Sequence, residues 1–445
     1  MSGPAHSIYW RDTEPVEPGP PLDGDVRCDV CVVGGGYTGL WTALFLKQAE
    51  PALDVQVVEA DYAGAGASGH NDGFVTPTIG HSLWGLMHRF GPERSKLAYG
   101  AVGRSILELG RFCRRNGIDA GYEPNGFYLV ATSDGQMSRL ERDVELAGQI
   151  GSRLEVVGRD EIRARIGSPA IQAGLKGGGA LVNPHRLARG LARVAREAGV
   201  AIHERTPATA VEEAPGGGHV VATPRGRVTA PKVVLATNAY QHRLPAFRRQ
   251  VKPVWSYAMV SEPIDPDRLA ELPWTDREGF VEASNFIVFG RLTAENRLLI
   301  GGGPAPYRYG RDMDERHVHD PRVEVELRRA FARFFPGWGD LRFTHSYGGC
   351  IAITRDYVPH VGELSPGVFY GYGYCGNGIA CTHTAAKALR DLILEQDTTY
   401  SNLLFVRGRE PEFPPEPLSY LGAKALSALL AWQDRHPSLV KRQLV

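Results

Sequence analysis

The fold of this chain is decided by two stretches, CDVCVVGGGYTGLWTALFLKQ (28–48) and DVQVVEA (54–60). The first begins with apolar, β-branched residues typical of a buried strand, passes through three glycines, and ends in a pattern typical of a helix. The second reads as another short strand. Together they predict a βαβ unit, in which a helix joins two parallel strands.

The glycines of the first stretch, Gly34, Gly36 and Gly39, match the motif G-x-G-x-x-G. The first permits a tight turn, the second lets the backbone approach a pyrophosphate, and the third lets the helix pack on the strand. Glu59 follows about 20 residues later, where a carboxylate accepts both ribose hydroxyls. This context predicts a site for the ADP half of NAD or FAD. Its predicted contacts are Gly34, Gly36, Tyr37, Thr38, Gly39, Glu59 and Ala60.

Composition limits the remaining possibilities. The chain has 445 residues, which exceeds the size of one hydrophobic core and predicts two domains. Lys and Arg number 50, as do Asp and Glu, so charge gives no reason to expect nucleic acid or an anionic membrane as a partner. We expect a small-molecule substrate. The first residues do not resemble a secretory signal and no stretch has the apolar length of a spanning helix, which predicts a cytoplasmic protein.

Six cysteines are few for this length and suit a reducing compartment. Cys28 and Cys31 have C-x-x-C spacing, which occurs in zinc and redox sites. No second pair follows them, and both lie at the start of a predicted strand. We therefore predict core packing for both and no metal site.

The pattern along the chain predicts two domains of alternating segments. The second domain is predicted to be α+β, built on an antiparallel sheet with one helix at 320–335. Asn183 and Pro184 are the predicted cap and first residue of a long amphipathic helix. The leucines of the tail fall mostly along one side, which favours docking on the protein body; they are Leu418, Leu421, Leu426, Leu429 and Leu430. The predicted division is an N-terminal arm (1–27), a nucleotide-binding domain (28–100, 165–248 and 346–400), a substrate-binding domain (101–164 and 249–345) and a C-terminal helical tail (401–445).

FAD is favoured over NAD by the segment GAGASGHNDGF (64–74), whose small residues suit close approach of an isoalloxazine ring. With this segment, four stretches look like successive signatures of one family: DVCVVGGGYTGL (29–40), GASGHNDGF (66–74), VVLATNAY (233–240) and GYCGNGI (373–379). They resemble the D-amino-acid oxidase-like FAD oxidoreductases, and within them most closely the γ-glutamylputrescine oxidoreductase group. The resemblance covers nearly the whole chain.

The resemblance implies an α/β fold with a Rossmann-type FAD-binding domain of the glutathione reductase kind and a second, substrate-binding domain. It places Ala208 at the adenine, and Thr237 and Asn238 in the turn that closes over the dinucleotide. His70 and Asp72 depart from the usual GASGRNGG of the family. The residues implied beside the flavin are Ala67, Ser68, Gly69, Asn71, Asp72 and Gly73.

Two further loops resemble those that pass the flavin ring. YGGC (347–350) supplies Gly348 and Gly349, and GYCGNGI supplies Gly376, Asn377, Gly378 and Ile379. The second loop precedes a helix, whose N–H groups and dipole can stabilise negative charge at the ring. The predicted catalytic residues are Tyr347, Asn377 and His345. The tethering position of sarcosine oxidase-type enzymes falls on Gly349 rather than Cys350, so we predict a noncovalent flavin.

The substrate wall is expected on the sheet of the second domain, at Tyr257, Phe289, Arg291 and Cys375. Amino-acid oxidases of the superfamily clamp the substrate carboxylate with basic residues. Ile351 and Ala380 stand at two such positions, which implies an amine, or an amino acid held elsewhere.

These observations predict an FAD-dependent oxidoreductase that oxidises a C–N bond of a small amine or amino-acid-like substrate. A hydride passes to flavin N5, and the resulting imine hydrolyses. The electron acceptor, oxygen or another molecule, stays open, as does the oligomeric state. Two alternatives also stay open: a flavin-binding electron-transfer subunit of a hetero-oligomer, and an NAD-dependent dehydrogenase.

Overall fold

The computed structural model describes residues 7–151, 154–274, 276–408 and 411–436. The predicted N-terminal arm and C-terminal tail therefore lie partly outside the described residues. The helices are α1 (Tyr9–Asp12), α2 (Tyr37–Ala49), α3 (Ala67–His70), α4 (Leu83–Phe90), α5 (Pro92–Arg115), α6 (Asp134–Gln149), α7 (Arg159–Ile166), α8 (Pro184–Glu197), α9 (Pro266–Leu269), α10 (Pro321–Phe334), α11 (Gly378–Ile393) and α12 (Leu418–Arg435). The strands are β1 (Val26–Arg27), β2 (Val30–Val33), β3 (Val55–Val58), β4 (Phe74–Val75), β5 (Phe127–Ala131), β6 (Val156–Val157), β7 (Ala173–Gly177), β8 (Ala180–Leu181), β9 (Ala201–His203), β10 (Ala210–Glu213), β11 (His219–Thr223), β12 (Gly226–Ala230), β13 (Lys232–Leu235), β14 (Lys252–Pro263), β15 (Gly279–Glu282), β16 (Val288–Leu292), β17 (Arg297–Gly302), β18 (Phe343–Ile353), β19 (His360–Ser365) and β20 (Val368–Tyr372).

The predicted βαβ unit forms the centre of a six-stranded sheet with the order β19-β20-β13-β2-β3-β9. β2 and β3 are parallel and fully buried, with Val30 opposite Val55. Buried parallel strands read as continuous apolar runs, which explains VCVV and VQVV at these positions. Only β19 runs antiparallel to its neighbour among the described strands of this sheet. The prediction of a Rossmann-type α/β domain is confirmed.

A second, eight-stranded sheet has the order β18-β14-β17-β16-β15-β5-β7-β6. Its neighbouring strands are antiparallel except for β5 and β15, which are parallel. The predicted antiparallel sheet is thus a mixed sheet with one parallel pair. α10 covers one face, where Leu327 and Phe334 are buried among aromatic residues. This matches the helix predicted at 320–335.

The sheets divide the chain differently from the predicted boundaries in three places. β7 was assigned to the nucleotide domain but pairs with β5 in the eight-stranded sheet. β18 crosses the predicted boundary at 346 because it pairs with β14 along its length. α5 crosses the boundary at 100, and its buried residues belong to the same core as those of α2 and α11.

The N-terminal segment is part of the fold rather than a free arm. Tyr9 and Trp10 of α1 are 3% and 1% exposed and pack on the eight-stranded sheet. After a segment without regular secondary structure, the chain reaches β1, which pairs with β12 in a four-stranded sheet.

The C-terminal helix α12 docks on the body through one side, as predicted. Leu430 is buried, and the carboxylate of Asp434 accepts hydrogen bonds from the backbone N–H groups of Asn285 and Phe286. The predicted apolar side is wrong in large part, since Leu418, Leu421, Leu426 and Leu429 are exposed. No helix within the described ranges is long and apolar enough to cross a membrane.

Local capping and core predictions hold. Asn183 caps α8 by accepting a hydrogen bond from the backbone N–H of Arg186, and Pro184 is the first helical residue. Cys28 and Cys31 are both buried in one hydrophobic cluster.

Candidate functional site

A cavity of about 1570 Å³ lies at the carboxyl ends of the central parallel strands. Val33, Val58 and Leu235, the last residues of β2, β3 and β13, line it. This edge is where open α/β sheets bind their ligands. Tyr347 and Phe289 of the eight-stranded sheet line the same cavity. Pockets for one small molecule measure roughly 300–1,000 Å³, so this cavity has room for a dinucleotide and a substrate.

The glycine turn at one end of the cavity leaves no space for side chains. Gly34 has a φ of +109°, and a Cβ there would lie 2.7 Å from the carbonyl oxygen of Ala236. A Cβ on Gly39 would lie 2.0 Å from the carbonyl oxygen of Gly34. Gly36 is the N-cap of α2, so the free N–H groups of the first helical turn face this end. Gly34 and Gly39 therefore meet the steric demands that the motif predicts, and Gly36 stands at the start of the helix.

Glu59 lies directly after β3 and is tied to the glycine turn. Its Oε2 accepts a hydrogen bond from the backbone N–H of Gly35 at 2.6 Å, and its Oε1 accepts one from Asp61 at 3.0 Å. Burial raises the pKa of Glu59, and these N–H groups oppose that rise by stabilising the carboxylate. The carboxylate is thus fixed in orientation at the cavity wall, where a ribose would lie.

The segment around α3 is braced against the glycine turn. Ser68 Oγ accepts a hydrogen bond from the backbone N–H of Tyr37 at 2.9 Å. Asn71 Nδ2 donates to the carbonyl oxygens of Ala67 and Ser68, while its Oδ1 accepts from the N–H of Gly73. Asn71 therefore holds this segment in one shape at the cavity wall.

His70, one of the two departures from the family pattern, lines the cavity beside α1. Its Nε2 lies 3.2 Å from a guanidinium nitrogen of Arg11. Burial and the nearby positive charge of Arg11 lower the pKa of His70 to about 3. His70 is therefore neutral at physiological pH. It links the N-terminal segment to the segment around α3 (residues 64–74), which is called the cofactor segment below.

The predicted turn after β13 also reaches the cavity. Asn238 has a positive φ of 46°, and its Oδ1 accepts a hydrogen bond from the N–H of Gly373 at 3.2 Å. Thr237 Oγ1 donates to Gln241 at 2.6 Å. Ala208 lines the cavity next to this turn.

The N-terminus of α11 forms another part of the wall. Asn377 precedes its first turn, and Asn377 Oδ1 accepts hydrogen bonds from the hydroxyls of Thr76 and Thr78. Its Nδ2 donates to the carbonyl oxygen of Cys375 at 3.2 Å. One N–H of the Asn377 amide remains for a ligand, besides the free backbone N–H groups of the helix.

The opposite wall is a single row of cross-strand neighbours on the eight-stranded sheet. Directly opposed residues in neighbouring strands point to the same face. The row runs through Tyr347, Ala258, Gly301, Phe289, Val281, Leu129 and Leu175. All of these residues except Gly301 line the cavity. The Phe289 ring lies over Gly301, since a Cβ added to Gly301 would be 2.5 Å from that ring.

Helix α1 covers the next row of residues on this face of the sheet. Two predictions about residues of that row are corrected by this packing. His345 and Arg291 belong to this row, through Val260 and Leu299, and neither lines the cavity. His345 Nε2 lies 2.9 Å from Asp12 Oδ2. The predicted catalytic role of His345 and the predicted substrate contact of Arg291 are therefore wrong, because the N-terminal segment packs over both side chains.

Arg291 instead supports the cofactor segment from behind. Its guanidinium donates to the carbonyl oxygens of Asp72, Gly73 and Val182, and lies 5.8 Å from the Trp10 ring. These contacts explain why a buried arginine is tolerated on this face.

Asp72, the second departure from the family pattern, lines the cavity, and its Oδ1 is buried without a hydrogen-bond partner in the described part of the chain. Burial raises the pKa of Asp72 to about 7, although the charge of Arg291 opposes this rise. The buried hydroxyl of Tyr347 also has no partner among the described residues. Two polar groups are thus available where the cofactor segment meets the sheet.

Two further predicted substrate contacts line the cavity with their polar atoms engaged. Tyr257 donates its hydroxyl to the carbonyl oxygen of His317 at 2.8 Å. Cys375 has a positive φ of 49°, and its Sγ donates to Gly373 at 3.2 Å. Burial raises the pKa of the Cys375 thiol to about 11, so it is a thiol rather than a thiolate.

A family model described as FAD dependent oxidoreductase (DAO) matches residues 29–392. The chain belongs to this DAO family. It is 31% identical to γ-glutamylputrescine oxidoreductase of Escherichia coli K12 over 416 residues, which cover 91% of this chain and 93% of that protein. It is 27% identical to glycine oxidase of Geobacillus kaustophilus over 387 residues, or 84% and 95% of the two chains. The crystal structure of that glycine oxidase superposes with a TM-score of 0.72 at 24% identity, covering 86% of this chain and 99% of that chain.

DAO family membership makes FAD the cofactor, and the alternative of an NAD-dependent dehydrogenase is set aside. The residues fit the group, since the glycine turn leaves a cradle that a Cβ would fill and Glu59 is held at its edge. Gly39, Gly69 and Gly73 were predicted contacts but do not line the cavity. Their role is packing, because a Cβ on each would lie within 2.5 Å of a backbone oxygen. The other predicted cofactor residues line the cavity.

Several residues that line the cavity were not predicted from the sequence. They come from α1 and the residue before it, from α6 and from α12, and include Ile8, Arg11, Arg139, Asp143, Leu426 and Leu430. None carries a local motif, because only the packing of distant helices brings them to this cavity.

Proposed function

We propose that this protein uses FAD to oxidise a C–N bond of a small amine or amino-acid-like substrate. Bound FAD supplies a hydride acceptor, its N5 atom, and the substrate leaves as an imine that water hydrolyses. The observation that carries the proposal is the continuity of one cavity from Gly34 in the cofactor turn to Phe289 on the sheet wall. A substrate on that wall would face the part of the cavity that the family fills with the flavin.

The wall supports positioning of the reacting carbon. Ala258, Phe289 and Val281 give an apolar surface, on which a C–H bond can be held still and water excluded. Tyr347 adds one hydroxyl without another partner in the described ranges, so it can orient a polar substrate group. Tyr347 is the predicted catalytic residue that this geometry favours most.

The N-terminus of α11 can stabilise the negative charge that a bound flavin would gain on reduction. Its free backbone N–H groups and the remaining N–H of Asn377 place partial positive charge at the cavity wall. Fixed dipoles of this kind stabilise negative charge without reorganising. Thr76 and Thr78 hold the Asn377 amide in this orientation.

Asp72 gives the site a group for the substrate's proton. An aliphatic amine is protonated at neutral pH, whereas hydride loss needs a free electron pair on nitrogen. The Asp72 carboxylate can take one proton from the ammonium, leaving a neutral amine and a carboxylic acid. Its pKa of about 7 suits this exchange at physiological pH.

The flavin is proposed to be noncovalent. Burial raises the pKa of the Cys350 thiol to about 12, so the thiolate that a tether needs is scarce.

The six cysteines form no disulfide, which agrees with the cytoplasmic location predicted from the sequence. Oxygen or another acceptor would reoxidise the cofactor.

The test is anaerobic reduction of the purified flavoprotein by a panel of amines. The names of relatives suggest γ-glutamylputrescine, glycine and sarcosine, to which simple primary and secondary amines are added. At least one compound should bleach the visible flavin absorbance and yield a carbonyl product. If none does, the alternative of an electron-transfer subunit is favoured, and a stable hetero-oligomer should then be isolated.

A further inference from the structure

The C-terminal helix α12 is apolar on two opposite sides. One side faces the body and lines the cavity through Ser419, Ala423, Ser427 and Leu430. The residues of the opposite side recur at intervals of three or four, which places them on one face of a helix, and all of them are exposed. They form the outer face of α12: Leu418, Leu421, Ala425, Ala428, Leu429 and Trp432.

The outer face is unusual for a helix that packs on a globular protein. Such helices normally present charged and polar residues to water, whereas Leu421 is 59% exposed and Trp432 is 43% exposed. Single exposed apolar residues are ordinary, but a continuous exposed strip indicates an interaction surface. An aromatic residue stands near each end of this strip. At one end it is Trp432, and at the other it is the exposed Tyr309, whose ring lies 5.5 Å from that of Tyr420. Tryptophan and tyrosine are enriched where lipid meets water.

The charges that accompany the outer face are almost all positive. From the start of α12 to the end of the chain, the sequence has four lysines and arginines, Lys424, Arg435, Lys441 and Arg442, and one acid, Asp434. Lys424 and Arg435 are exposed and about three helical turns apart, so they lie along the same edge of the outer face. The Asp434 carboxylate faces the body, where it accepts two backbone hydrogen bonds. The balanced charge of the whole chain therefore conceals a cationic segment, which attracts an anionic surface.

A second copy of the chain fits the outer face less well than a lipid surface does. In a symmetric dimer the same patch meets itself, so Lys424 and Arg435 would approach their own counterparts, and like charges oppose binding. The 18 residues of α12 also offer only a strip about 27 Å long and about 10 Å wide, whereas a specific protein interface buries about 800 Å² on each partner. A bilayer surface has no such requirement, because it binds a single amphipathic helix that lies flat on it.

We propose that the outer face of α12 binds the surface of a lipid bilayer that contains anionic headgroups. The helix lies in the plane of the surface, with its leucines and Trp432 in the boundary between headgroups and acyl chains. Lys424 and Arg435 pair with lipid phosphates along one edge. Because the inner side of the same helix lines the cavity, the bound protein holds its cavity next to the bilayer. This inference does not depend on the proposed C–N oxidation.

The apolar contribution is tested by flotation of the FAD-loaded protein with vesicles made of phosphatidylcholine and phosphatidylglycerol in equal parts. The wild type should float with these vesicles. Leu421→Asp and Leu429→Asp should each lower the partition coefficient about tenfold or more, because each removes a buried leucine and adds a charge that the lipid repels. Leu107→Asp, at an exposed leucine of α5, is the matched control and should bind like wild type. Leu421 and Leu429 do not line the cavity, so flavin content should be unchanged in both variants.

The charge contribution is tested with Lys424→Gln. One cation near an anionic surface contributes about fivefold to binding, so the partition coefficient on the mixed vesicles should fall by about that factor. Binding to vesicles of phosphatidylcholine alone should be weaker for wild type and should not change in the variant. Added salt should release the wild type from the mixed vesicles, because it screens exposed charges. Lys96→Gln, at an exposed lysine of α5, is the control and should match wild type.

Three results would overturn the proposal. The first is a wild-type protein that does not float with the mixed vesicles. The second is equal flotation of wild type, Leu421→Asp and Leu429→Asp, with melting temperatures that show all three to be folded. The third is a dimer, detected by sedimentation without lipid, that Leu421→Asp dissociates, since the outer face would then be covered by a second copy of the chain.

Discussion

The carboxylate of Glu59 accepts a hydrogen bond from the backbone N–H of Gly35, with 2.6 Å between oxygen and nitrogen. This bond joins the end of β3 to the glycine turn after β2, the two elements that hold the ADP half of FAD in the family. It fixes the carboxylate before the cofactor binds, so little order is lost on binding.

We predict that Glu59→Ala weakens FAD binding. The substitution removes the ribose acceptor and leaves the Gly35 N–H without its partner. Hydrogen bonds to a charged group contribute about 1.5–3 kcal/mol, so the dissociation constant of FAD should rise about 10- to 100-fold. It is measured by fluorescence of released flavin after dilution. Glu50→Gln, an exposed acid at the end of α2, is the control and should bind FAD like wild type.

A methyl group at Gly34 should abolish FAD binding. The Cβ of Gly34→Ala would lie 2.7 Å from the carbonyl oxygen of Ala236, and the φ of +109° is strained for any other residue. The purified variant should be colourless. Gly103→Ala in α5 has open space around its Cβ and should stay yellow with equal or slightly higher stability. A yellow Gly34→Ala protein with unchanged flavin content would contradict this account of the turn.

Asp72 should make stability depend on pH. Its pKa in the folded protein, about 7, lies above the ordinary value of about 3.9. Between these values the folded state binds more protons than the unfolded state, so this group lowers stability as the pH rises from about 4 to 7. Asp72→Asn removes that dependence.

The measurement is the melting temperature of the FAD-loaded protein from pH 4.5 to 8. The difference between Asp72→Asn and wild type should grow in favour of the variant as the pH rises. Asp267→Asn, at an exposed position of α9, should show a constant difference. A constant difference for Asp72→Asn as well would mean that the carboxyl is not protonated in the folded protein.

His345→Gln should act on stability rather than on oxidation. The imidazole lies 2.9 Å from an Asp12 carboxylate that is 56% exposed, so the lost pair contributes at most about 1 kcal/mol to the free energy of unfolding. The anaerobic rate of flavin reduction by a good amine should stay within about twofold of wild type, a change of about 0.4 kcal/mol or less in the barrier, because the imidazole does not line the cavity. A loss of a hundredfold or more in that rate, with flavin content unchanged, would restore the catalytic role that the sequence suggested.

The nucleotide half was predictable because its signals are local. The glycine motif spans only Gly34 to Gly39, and the mostly apolar runs of β2 and β3 indicate burial in a parallel sheet. The substrate half was predictable only in part. Tyr347 and Phe289 were found because they lie on strands that the alternation pattern reveals.

His345 lies two residues before Tyr347 on β18, and Arg291 lies two residues after Phe289 on β16, each on the same face as its neighbour. No local pattern in the sequence indicates that α1 folds back over that row. Arg139 and Asp143 were missed for a related reason, since the packing of α6 on β5 and β7 brings them to the cavity. Long-range packing therefore decides which residues of a correctly predicted face meet the ligand.

The most direct test of the account mixes the purified flavoprotein with γ-glutamylputrescine in the absence of oxygen and follows the visible flavin absorbance together with carbonyl product. We predict bleaching that saturates with amine concentration, and one carbonyl formed per flavin reduced. An absorbance that stays unchanged with this compound and with every other amine of the panel, while dithionite still bleaches it, would contradict the proposed C–N oxidation.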